Sequence, residues 1–227
     1  MSLSKKSNSV YRCKLCKSKQ KELINLFLSG CTARAAAMIV SVNRNTATLF
    51  FRKLRQILAN RKRHITGGEV EVDETYLSGG EGGRKKARQG RNLLGKIALV
   101  GVVERNTRRL RIERVESTSA AVLESFCARN IIQGSIVHTD SFRAYNHINK
   151  LGFHHKKVNH FKNFKNPRTK ACTNLIESVW AFAKRHFMKF AGGWRNNLNL
   201  WIAELEFRFE HKHSYITEFR KLLKACA

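Results

Sequence analysis

The apolar positions follow a helical period in the first quarter of the chain and a strand period after it. In SKQKELINLFLSG, residues Leu23, Ile24, Phe27 and Leu28 form a helical stripe that Gly30 ends. TARAAAMIV follows with Thr32 at a capping position, then a short break at Ser41 and Val42. NRNTATLFFRKLRQIL repeats the stripe through Leu49, Phe50, Leu54, Ile57 and Leu58. Three helices with a tight turn before the third predict a helix-turn-helix region over residues 18–60, after a basic arm at 1–17. The basic stretch NRKRHITGG closes it, with a linker at 61–68.

From Glu69 the period becomes two. EVEVDETYL places Val70, Val72, Glu74 and Tyr76 on one face and Glu69, Glu71, Asp73 and Thr75 on the other. A Gly-rich basic loop separates it from KIALVGVVE, apolar enough for a central strand. RLRIERVE alternates as an edge strand does. TSAAVLESFCARNI predicts an amphipathic helix, SIVHTD a short strand, SFRAYNHINKLG a helix closed by Gly152, and HHKKVNH a further strand. A long helix is expected from Asn174, another after Gly192 and Gly193, and a C-terminal helix over 214–227. The order βββ-α-β-α-β-α-α predicts an α/β (α+β) domain over 69–213: an RNase H-like mixed five-stranded sheet flanked by helices.

Charge adds the partner. The 227 residues hold 44 Lys and Arg against 16 Asp and Glu, a net charge of +28, which calls for a polyanion such as nucleic acid. With 42% hydrophobic residues the chain is not compositionally disordered. No apolar run is long enough to span a membrane, and MSLSKKSNSVYR lacks a signal-peptide core, so a cytoplasmic, nucleoid-associated protein is expected. Asn43, Arg44, Asn45, Thr48 and Arg52 stand where a recognition helix would meet a major groove. Lys85, Lys86 and Arg88 in one basic loop, and Lys156, Lys157 and Arg168 around a second, suit phosphate contacts. Cys13 and Cys16 form one CxxC pair without a second, short of the four ligands of a structural zinc site. His154, His155 and His160 cluster near the last strand, where a phosphate contact and a solvated basic surface are both open readings. Trp180 and Trp201 read as core.

Because acids are scarce, each is informative. Asp73 lies within a strand and Asp140 ends one; if the two strands are neighbours, their carboxylates converge. Glu177 sits in the first turn of the helix opened by Asn174. Such oxygen ligands suit magnesium or manganese. Each acid also has a structural reading: Asp73 as a solvent-facing strand residue, Asp140 as a helix cap, and Asn174 with Glu177 as a capping box.

EVEVDETYLSG, HTDSFRAYN and TNLIESVWAFAKRHF, in that order, resemble the DDE transposases of small bacterial insertion sequences, the ISXO-like group related to eukaryotic Merlin elements. The likeness runs from about Leu23 to Phe209 and includes the helix-turn-helix segment. It implies that Asp73, Asp140 and Glu177 are catalytic carboxylates holding two Mg2+ or Mn2+ ions. It implies that Lys184 contacts the transposon end, with Arg185 beside it, and that Asn174 assists or replaces a ligand. Thirty-six residues lie between Asp140 and Glu177, consistent with that group. Relatives often read N-G-I-E where this chain has Leu175 after Asn174, and many carry a zinc ribbon with two CxxC pairs. The resemblance further implies a transposase that binds terminal inverted repeats, cleaves DNA and joins 3′-hydroxyl ends to target DNA. The expected partners are double-stranded DNA and other copies of the chain, in a homodimer or larger assembly. A DNA-binding regulator descended from a transposase and an RNase H-fold nuclease or resolvase are the alternatives.

Overall fold

The computed structural model describes residues 14–62, 64–78, 95–158 and 172–225. Lys85, Lys86, Arg88, His160, Arg168 and Cys13 lie outside the described residues. The chain divides into two compact units, one of residues 1–62 with 211–227 and one of residues 63–210.

In the first unit, α1 (Lys17–Leu28), α2 (Ala33–Ile39) and α3 (Arg44–Ala59) follow the predicted stripes. Gly30, at φ 75°, takes the left-handed turn after α1 that a side chain would resist. Thr32 caps α2 by accepting from Ala35 N at 3.2 Å, and Asn43 caps α3 by accepting from Asn45 N at 2.8 Å. Leu23, Phe27, Phe51 and Leu54 fill the interior. The C-terminal helix α7 (Tyr215–Ala225) belongs to this unit: Phe219 packs on Phe27 at 5.7 Å between ring centroids, and the Tyr215 hydroxyl donates to Leu28 O.

Among the described residues of the second unit, β1 (Glu69–Ser78), β2 (Lys96–Glu104), β3 (Leu110–Val115), β4 (Ile136–Thr139) and β5 (His154–Lys157) form one sheet in the order β3-β2-β1-β4-β5. The first three run antiparallel, and β4 and β5 are added parallel to β1. That order and mixture of directions is the expected RNase H-like sheet. α4 (Ala120–Asn130) packs on the Val70, Val72, Val100 and Val102 face. α5 (Asn174–Lys189) and α6 (Leu198–Glu210) cover the Leu77, Leu99, Leu110 and Ile112 face.

One predicted element is different. Instead of an α-helix, the segment after Asp140 makes two short 3-10 turns, Arg143–Tyr145 and Ile148–Leu151, before Gly152. The reason is spacing. Phe142, Tyr145, Ile148 and Leu151 recur every third residue and all pack on the α4 side of the sheet. Three residues per turn stacks them on one side, where 3.6 would rotate them away.

Candidate active site

Two strands bring Asp73 and Asp140 together. β1 and β4 pair in parallel, Val70 opposite Val137 and Glu71 opposite His138. The same register carried two residues further sets Asp140 level with Asp73. Asp73 is half-buried, and its carboxyl is pushed up from 3.8 to about 8, first by burial and then by the charges of Glu74 and Asp140. It therefore responds to Asp140 as a close like charge. Asp140 Oδ1 also accepts from Phe142 N at 2.8 Å, so its capping reading is met by a local turn rather than by a helix.

Asp73 does not point to solvent as an isolated strand acid would. Its Oδ2 accepts from Trp180 Nε1 at 3.1 Å, which ties it to α5. Trp180 is 4% exposed, a core residue as expected, yet its one polar atom is spent on the carboxylate. Gly101 makes room for it. Gly101 pairs with Asp73 across β1 and β2, and a Cβ there would lie 2.7 Å from the Trp180 ring. The sequence signal was one glycine inside an otherwise apolar run.

Glu177 stands on the same helix, one turn before Trp180, and is exposed, as is Asn174 one turn earlier. The capping box does not form. Thr173, not Asn174, is the N-cap, and its hydroxyl donates to Glu177 Oε1 at 3.2 Å. Leu175 packs on the α5 core without interrupting the helix. Among the described residues no three His, Cys, Asp or Glu side chains are grouped so as to hold a metal ion, so Asp73, Asp140 and Glu177 are not gathered into one ligand set. Asp73 and Asp140 stand level on adjacent strands, and Glu177 is on the helix whose Trp180 donates to Asp73.

Three further acids of β1 are structural. Glu69 is 2.7 Å from Nε2 of the fully buried His138. Burial, then the Arg105 charge, holds His138 below the ordinary imidazole range. Glu71 is 2% exposed and accepts from Leu175 N and Ile176 N at the start of α5. Glu74, on the other face, accepts from the Tyr145 hydroxyl at 3.0 Å, which ties the turn after Asp140 back to β1.

Cations flank this centre. Lys184 and Arg185 are exposed on α5, and Lys184 lines a cavity of about 660 Å³ with Tyr76, Phe187, Trp194 and Arg195. Lys157 donates to Asn146 at 2.7 Å, and Lys156 is half-buried on β5. His155 is held by Thr139 at 2.8 Å and pushed down to about 4 by burial and Lys157, while His154 is exposed. In the first unit Asn43, Arg44, Asn45, Thr48 and Arg52 are exposed at and along one side of α3.

The family described as ISXO2-like transposase domain matches residues 65–210. A Haemophilus influenzae protein described as an uncharacterized transposase-like protein is 31% identical over 112 residues, covering 48% of this chain and 89% of that one. A chain in the cryo-electron-microscopy structure of a simian T-cell lymphotropic virus intasome in complex with PP2A regulatory subunit B56 gamma is 13% identical. It aligns with a TM-score of 0.41, over 84% of this chain and 74% of that one. No described helix is long and apolar enough to cross a membrane.

Proposed function

The chain belongs to the ISXO2-like transposase family, and we propose that it cuts and rejoins DNA through divalent metal ions held by Asp73, Asp140 and Glu177. The observation that carries this reading is the placing of two acids on neighbouring strands: the β1–β4 register sets Asp140 level with Asp73, whose carboxyl is pushed up to about 8 by burial and then by the charges of Glu74 and Asp140. A divalent cation between them would offset the burial and the repulsion together, so the donor set fits Mg2+ or Mn2+. When bound, such ions would supply the Lewis acidity that activates a water or 3′-hydroxyl and stabilises the leaving oxygen.

The chain's own groups supply the rest. Glu177, and Asn174 one turn before it, offer further oxygens from the first turn of α5. Trp180 holds the Asp73 carboxylate in place, and its bulk keeps water from that side. Lys184 and Arg185, with Lys156 and Lys157 on β5, draw in phosphates without reading sequence. In the helical unit, α2 and α3 act as a helix-turn-helix. Arg44, Asn45, Thr48 and Arg52 meet base edges of the terminal inverted repeats, and Asn43 sets the start of the reading helix. The products are freed 3′-hydroxyl ends joined to target DNA by a homodimer or larger assembly on paired ends.

The test is Asp140→Asn in the full chain, on DNA carrying the inverted repeats that flank the gene. Loss of Mg2+-dependent cleavage with unchanged binding in a mobility-shift assay is expected. Cleavage that survives the substitution would remove Asp140 from the reaction. Cellular function unchanged without cleavage would mark a DNA-binding regulator instead.

A further inference from the structure

We propose that Glu71 is the positioning residue of this site, fixing where the first turn of α5, and with it Glu177, stands against Asp73. The inference rests on the metal-site reading of those carboxylates. A helix leaves its first backbone N–H groups without intrahelical partners, and a nearby N-cap side chain commonly accepts from the second or third of them. Thr173 makes no such bond. The role passes to a residue of β1: Glu71 Oε2 accepts from Leu175 N at 2.8 Å and from Ile176 N at 3.0 Å. A carboxylate there also suits the positive end of the helix.

The other Glu71 oxygen is clamped. Oε1 accepts from Arg105 Nε at 2.9 Å, and Cys172 Sγ lies 3.8 Å away. Arg105 further donates to Glu69 at 2.7 Å and to Cys172 O at 2.9 Å, so one guanidinium binds β1 to the approach of α5. At 2% exposure these charge-assisted bonds are shielded from water.

Glu71 is two residues from Asp73 on the same face of β1. α5 is thus fastened to one strand face twice, at Leu175–Ile176 through Glu71 and at Trp180 through Asp73. Glu177 lies between the two fastenings. A slide or roll of the helix that moved Glu177 would break one of them.

The full chain carrying Glu71→Ala or Glu71→Gln tests this, with Asp73→Asn in parallel. The readouts are Mn2+ titration by electron paramagnetic resonance, amide exchange along α5, thermal unfolding and mobility shift on the same DNA. Glu71→Ala should weaken Mn2+ binding roughly 10- to 100-fold, the usual cost of losing a group that orients a ligand. Exchange should quicken at Leu175 and Ile176 and the unfolding temperature should fall, since Arg105 and two amides lose a buried partner, while DNA binding is kept at temperatures where the chain stays folded. Glu71→Gln, whose amide oxygen still accepts from backbone N–H, should recover part of the Mn2+ affinity. Wild-type Mn2+ affinity in both Glu71 variants overturns the proposal. So does a loss that tracks unfolding of the whole chain in both. If those variants bind normally while Asp73→Asn loses Mn2+, only the positioning role fails. If Asp73→Asn also binds normally, the metal-site reading fails with it.

Discussion

Carboxylates are used differently at the edge of the sheet and at its centre. At the edge, α6 lies along β3, and its Glu206 and Glu210 accept from Ile112 N and Leu110 N at 2.9 and 3.0 Å. These bonds occupy strand groups that would otherwise offer a pairing edge. Arg111 supplies the counter-charge, 3.1 Å from Glu210 and 3.9 Å from Glu206. At the centre, the strongest influences on Asp73 after burial are two more acids, Glu74 and Asp140. At the edge a cation of the chain lies against the acids; at Asp73 burial and two neighbouring acids together push one carboxyl up. A cation bound beside Asp73 would relieve the like-charge push that Glu74 and Asp140 exert on it.

The comparison can be broken at either end. The largest stability effect is expected at the edge. Arg111→Ala takes the guanidinium from two buried carboxylates, and denaturant unfolding should register a loss of about 3–5 kcal/mol. Cleavage per folded molecule should hardly change. The centre should respond to pH instead. The folded chain keeps the Asp73 proton to about 8, whereas the unfolded chain gives it up near 3.8. Over that window the folded state binds more proton, so metal-free stability falls as pH rises and levels off above about 8. Asp73→Asn should remove this component from melting curves taken across the window. Mg2+ should raise the melting temperature of the parent chain at the alkaline end and not that of the variant. A pH profile identical in parent and variant would erase the distinction between the regions. The smallest effect belongs to the exposed ion pair between α4 and β3. Arg129 and Glu113 are 56% and 34% exposed. Arg129→Ala should cost less than about 1 kcal/mol by the same unfolding measurement.

Strands and helices were legible where one face alone sets the pattern. β2 reads as a central strand because both its faces are covered, and α3 reads as a helix because its apolar stripe is unbroken. Asp73 and Asp140 stood out because motif and strand position agree. The roles of Glu69, Glu71 and Arg111 were not legible, because alternating charge along a strand looks the same whether the charged face meets water or a helix. What distinguishes them is a partner far along the chain: the amides that Glu71 receives lie 104 and 105 residues away. The three-residue spacing from Phe142 to Leu151 was visible and was read as helical, since a short run distinguishes three from 3.6 poorly. Gly101 was equally visible, but its meaning depends on the Trp180 ring that lies over it.

The placing of α7 with α1 and α3 has a consequence for how the protein is born. Phe27 contacts Phe51 and Phe219, so the helical unit draws its interior from both sides of the sheet in sequence. A ribosome delivers residues in order, and segments condense when their partners have emerged. The strands can therefore close while the first helices still wait for their lid, and the unit proposed to read DNA is finished after the one proposed to cut it.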